Sequence, residues 1–147
     1  MKLKDMPPID VENYTFCFGC GQDNPIGLKL KPYQQGDEAH CEFVAGEHYQ
    51  GWPGMVHGGI INTMLDEVMA YAAVYRGLHC ATAYMEVHFR EGTPVGNRLH
   101  ISAKVTEVRP RTAEVGGRLT DEDGTLLAES RATMYIVRDE KGKKDAD

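Results

Sequence analysis

No stretch of 18 consecutive apolar residues occurs in the chain, which excludes a helical membrane span. The opening MKLKDMPPID holds no apolar core of signal-peptide length, so a cytoplasmic location is expected. Cations are outnumbered: 16 Lys and Arg face 22 Asp and Glu, a net charge of −6. Without surplus cations to displace counterions from phosphates, no nucleic-acid partner is expected. Repeats and low-complexity segments are absent. Cysteines are few, four in 147 residues. Cys17 and Cys20 form a C-x-x-C in FCFGCGQDN, but a structural zinc site needs four ligands, and no second close pair or neighbouring histidine accompanies them. A thioredoxin-like motif would need a βαβ context, also missing. No metal is therefore expected, and the motif reads as a turn in an N-terminal segment lying against the domain. Cys41 and Cys80 sit in apolar, strand-like runs and read as small buried residues.

What remains is the composition of one ordinary globular domain, 41% hydrophobic and 26% charged. Residues 1–14 read as a flexible arm, and 138–147, RDEKGKKDAD, as a charged tail that frays. Between them one long helix is predicted from 58 to about 76. Strands are predicted at 39–45, 80–89, 98–108, 112–121 and 126–137. Turn chemistry separates the later ones at EGTP, RPR and DEDG. Short links favour antiparallel neighbours, so the fold class is α+β, with the helix packed on one face of the sheet.

The helix follows the stretch GWPGMVHGG. Ile60, Ile61, Met64, Leu65, Val68 and Ala72 share one broad face and should meet the sheet. Asp66 falls on the other side, near Asn62, Ala70 and Ala73, small or polar residues that suit close approach by a ligand or second subunit. The first N–H groups of a helix lack internal partners, and Gly58 and Gly59 would leave them open to an oxyanion. Asp66, two turns on, would add a carboxylate. An oxyanion donor with a carboxylate suits acyl hydrolysis. Each piece also has a plain structural reading: a tight helix entry for the glycines, a solvated acid for Asp66, a cap for His57.

HGGIINTMLDE resembles the His-Gly-Gly…Asp signature of hotdog-fold thioesterases, in the PaaI-like and human-thioesterase-superfamily branch. YQGWPGMV, CFGCGQDNPIGLKL and GTLLAESRATMYIV resemble the same branch, and the likeness covers residues 15–137. It implies a long central helix wrapped by a five- to six-stranded antiparallel sheet, in a homodimer or a dimer of dimers. Two active sites would then form between subunits, the oxyanion donor from one and the acid from the other.

The same resemblance implies that Gly58 polarises the thioester carbonyl, with Gly59 allowing close approach and His57 helping to hold the oxyanion loop or the thioester. Asp66 would be a general base or a nucleophile, and Thr82 would orient the water. Gln50 and Asn62 would lie with the substrate, an acyl-CoA. No metal or organic cofactor is implied. The sequence departs from the pattern in HFREGTPVG, where relatives often carry a basic residue and a proline near the CoA entrance; Arg109 and Arg111 are the alternative phosphate contacts.

Two other functions compete. A hydroxyacyl-thioester dehydratase would need an acid fourteen residues after His48, where Asn62 stands. A non-catalytic binder of acyl-CoA or an aromatic acid remains the alternative, since fold does not dictate function. Met64, Met69, Tyr71, Tyr75 and Trp52 are either acyl-pocket lining or core.

Overall fold

In a computed structural model of the chain, residues 1–7, 10 and 13–137 are described. The tail expected to fray lies outside them, as do four positions of the N-terminal arm. The elements run β1 (Tyr33–Gln35), β2 (Glu38–Val44), α1 (Gly58–Tyr75), β3 (Cys80–Phe89), β4 (Arg98–Val108), β5 (Thr112–Asp121) and β6 (Leu126–Ile136). All strands join one antiparallel sheet of order β1-β2-β4-β5-β6-β3. The predicted helix and five predicted strands are there, within a residue or so at each end. The sixth strand, β1, extends β2 by a hairpin. Among the described residues no helix is long and apolar enough to cross a membrane.

The helix packs on the sheet because strand alternation supplies a matching apolar face. Leu99 and Ile101 of β4, Val115 and Leu119 of β5 and Met134 of β6 are fully buried against Met64, Leu65 and Val68. Three helix positions depart from the expected faces. Ile60 is only half-buried and Met69 is fully buried in the core; Ala73, expected beside Asp66, is also fully buried. The close approach of Met69 depends on Gly117: a Cβ there would stand 2.6 Å from Ser130 Oγ and 3.1 Å from Met69 Cγ. The helix ends at Tyr75, and two residues on Gly77 takes a φ of 75°, which suits glycine. The Gly77 and Leu78 N–H groups donate back to the carbonyls of Val74 and Ala73, which satisfies the last turn.

β3 lies at the sheet's edge with one side unpaired. It carries an irregularity against β6 between Thr82 and Tyr84. The extra residue shifts the strand's parity. Cys80 and Thr82 before it, and Met85, Val87 and Phe89 after it, therefore all serve the helix side: Cys80, Met85 and Val87 pack on the core, Thr82 bonds Asp66 and Phe89 lies nearest Gly58.

Candidate functional site

All but one of the early N–H groups of α1 have partners among the described residues. The His57 carbonyl accepts from Ile60 N–H and Ile61 N–H, and His57 Nδ1 accepts from Gly59 N–H at 2.8 Å. That leaves the Gly58 N–H, which has no partner among the described residues. The expectation of two open N–H groups is thus corrected to one, because the histidine ring caps the second. An accepting Nδ1 places the proton of a neutral ring on Nε2.

The loop before the helix is held at several points. Val56 N–H donates to the Thr93 carbonyl and His57 N–H to the Tyr49 carbonyl, each at 2.8 Å. Gln50 is part of this scaffold: its amide donates to the Glu47 carbonyl and accepts from Gly54 N–H. Asn62 is likewise turned inward, donating to the Gly58 carbonyl at 2.8 Å. Gly58 itself does not need to be glycine on steric grounds, since a Cβ would make only ordinary contact with Phe89 at 3.6 Å.

One and a half turns past the first helical turn, Asp66 Oδ1 accepts a 2.6 Å hydrogen bond from the Thr82 hydroxyl. Both residues are half-buried, and Oδ2 has no partner among the described residues. The strand irregularity beside Thr82 is what turns that hydroxyl toward the helix.

Gly58 and Asp66 are eight residues apart, about 12 Å along the axis. A carbonyl oxygen accepts from a donor about 3 Å away, so within one chain these two groups cannot act on the same thioester. Gly59 and Asp66 lie on nearly the same side of the helix, but Gly58 is about 80° round from Asp66 as well as a further residue away.

The remaining sequence candidates are not gathered here. Arg109 pairs with Glu107 at 3.1 and 3.2 Å and, with Tyr84, Arg131 and Thr133, borders a hollow of about 380 Å³. Arg111 uses its carbonyl to accept from Ile136 N–H. Trp52 is 84% exposed, so it is not core; Met64 and Met69 are.

A second cluster was not legible in the sequence. The C-x-x-C is a turn lying against the helix, and Glu67, next to Asp66, reaches it. Cys17 Sγ, Cys20 Sγ and a Glu67 carboxylate oxygen all lie within 4.8 Å of one another. They border a cavity of about 160 Å³ with Tyr71, His79 and Cys80. Burial, then a hydrogen bond to Glu67, pushes the Cys20 thiol up to about 12, and burial raises Tyr71 as well. Cys80 is half-buried rather than buried, and burial pushes its thiol up to about 11.

Residues 53–128 match the family model described as the Thioesterase superfamily. The chain is 27% identical over 137 residues to the acyl-coenzyme A thioesterase THEM4 of Xenopus laevis, covering 91% of this chain and 61% of that protein. It therefore spans about three fifths of that relative's length. Protein RHA08564, a solved thioesterase superfamily protein, superposes with a TM-score of 0.80 at 22% identity, over 89% of this chain and 66% of that one. The protein smu.793 of Streptococcus mutans, solved bound to acetyl CoA, gives 0.70 at 16% identity, over 74% and 88%.

Proposed function

Because the chain belongs to the thioesterase superfamily, we propose that it hydrolyses an acyl-CoA thioester to a carboxylic acid and free CoA, at a site shared between two copies. The observation that carries this reading is the Thr82–Asp66 hydrogen bond of 2.6 Å beside an unpaired edge strand. It supplies a positioned carboxylate that lacks only an oxyanion donor, and the open Gly58 N–H is that donor on a second chain.

The edge strand explains how the two meet. A ten-residue strand with a free edge, exposing Tyr84 and Phe89, is a surface that proteins pair or cover. If β3 pairs antiparallel with its copy about its own centre, Phe89 of one chain lies opposite Cys80 of the other. Gly58 sits against Phe89, and Asp66 against Thr82, two residues from Cys80. The pairing thus carries the oxyanion donor of each chain toward the acid of its partner, and a two-fold axis does so twice.

In that site the Gly58 N–H holds the thioester oxygen as it gains charge, helped by the helix dipole. As a general base, Asp66 takes a proton from water as the water oxygen attacks the carbonyl carbon; the C–S bond then breaks and CoA leaves as the thiol with that proton. As a nucleophile, Asp66 attacks that carbon itself, the C–S bond breaks with CoA leaving as a thiolate that solvent protonates, and water then cleaves the mixed anhydride to the acid and free Asp66. Thr82 holds one carboxylate oxygen so that the other faces the reaction. CoA as the leaving group is supported by the similarity to THEM4 and to the acetyl-CoA-bound neighbour.

The test is thiol release from short, medium, long and aromatic acyl-CoAs by the native chain and by Asp66→Asn. Turnover of one class, lost in the folded variant, supports the reading. Tight binding without turnover would instead make the protein an acyl-CoA carrier.

A further inference from the structure

The cluster formed by Cys17, Cys20 and Glu67 has no part in thioester hydrolysis, and its geometry is independent of that reading. We propose that these three side chains bind one zinc ion, which fastens the N-terminal segment to the central helix next to Asp66.

The distances suit such an ion. Tetrahedral zinc with Zn–S of about 2.3 Å and Zn–O of about 2.0–2.2 Å spaces a sulfur and an oxygen ligand about 3.5–3.7 Å apart. Cys17 Sγ lies 3.6 and 3.8 Å from the two Glu67 oxygens. The donor set, two thiolates and a carboxylate, matches zinc better than the hard cations, which take oxygen alone. The cavity beside the cluster leaves the fourth position to water or to the Tyr71 hydroxyl, which hydrogen-bonds Cys20.

The turn is shaped for this. Gly19 N–H donates to Cys17 Sγ at 3.3 Å, where it supports negative charge on sulfur, and Gly21 N–H closes the turn on the Cys17 carbonyl at 2.8 Å. A Cβ at Gly19 would stand 2.6 Å from both Glu67 Cδ and Oε2. Glycine at that position is what lets the carboxylate come up to the thiols. Among the described residues Glu67 forms no ion pair with Lys, Arg or His. A divalent ion would supply the missing positive charge.

The segment also needs a fastening. Leu28 and Leu30 are buried, but Tyr14, Phe16, Phe18 and Ile26 are exposed. A stretch with so little core of its own gains its order from a staple, and ion binding contributes directly to folding.

The experiment uses the full chain, reduced, stripped with chelator and titrated with Co²⁺. One Co²⁺ should bind per chain, with a thiolate-to-cobalt charge-transfer absorption that Zn²⁺ abolishes. Cys17→Ser with Cys20→Ser should lose the absorption and the stoichiometric binding. Glu67→Gln, which leaves both thiols and the fold, should keep the absorption and bind at least about tenfold more weakly. Absence of the absorption in the native chain, loss of two thiols to a Cys17–Cys20 disulfide in place of metal binding, or unchanged affinity in Glu67→Gln would each overturn the proposal. None of these outcomes depends on whether the chain hydrolyses thioesters.

Discussion

Asp66 and Glu67 are consecutive on one helix, carry the same charge and differ by one methylene, yet the fold assigns them different neighbours. Asp66 turns to β3 and the Thr82 hydroxyl. Glu67, about 100° further round, turns to two thiols and a tyrosine, and among the described residues no cation pairs with it. The first environment leaves a carboxylate oxygen free beside an open strand edge, where a second chain and a substrate can reach it. The second surrounds its carboxylate with ligand atoms. Under the proposed function, which acid does chemistry is set by the strand that faces it, not by its type or its place in a motif.

The sharpest way to break this contrast is to neutralise each acid in turn. Asp66→Asn should lower kcat/KM by about 10²–10⁴, the usual worth of a positioned base, and Glu67→Gln by no more than about tenfold; steady-state thiol release measures both. Equal losses would remove the distinction. On the donor side, Gly58→Pro deletes the one open N–H. Proline suits the first helical position, and His57 at φ −61° and ψ 136° already has the backbone that precedes proline. A loss of about 10²–10³ in kcat with an unchanged melting temperature is expected.

Thr82→Val tests whether the strand hydroxyl positions the acid. A hydrogen bond to a charged group contributes about 1.5–3 kcal/mol, or about 10- to 150-fold in rate, read as kcat with an altered pH profile. The smallest effect belongs to Cys80, beside the Glu67 cluster, whose thiol burial pushes from 9.0 up to about 11. The folded state then holds its proton where the unfolded state has lost it, so the contribution is whole below pH 9 and falls as pH rises toward 11. The melting temperature of Cys80→Ala should therefore drop less over that window than that of the native chain.

The fold was largely legible because it rests on periodicity. The 3.6-residue spacing from Ile61 to Ala72 marks α1, and the alternation in RLHISAKV and TAEVGGRL marks β4 and β5. β1 was not, since three exposed residues, Tyr33–Gln35, carry no apolar pattern. The irregularity at Thr82 was hidden by the same rule that revealed the strand: one extra residue moves the apolar positions of CATAYMEVHF from even to odd. His57 as the cap of Gly59 was open to sequence reasoning, whereas Glu67 beside Cys17, fifty residues away, was not. Local spacing cannot show which face of a helix a distant turn will cover.

The claim on which the rest depends is that Gly58 and Asp66 act together only across two chains, and mixing inactive variants tests it most directly. Asp66→Asn and Gly58→Pro protein, unfolded together and refolded at equal concentration, should regain about a quarter of native activity, because half the dimers then hold one intact site of two. No recovery, with mixed dimers shown to form, would mean that each site lies within a single chain and that the shared-site account is wrong.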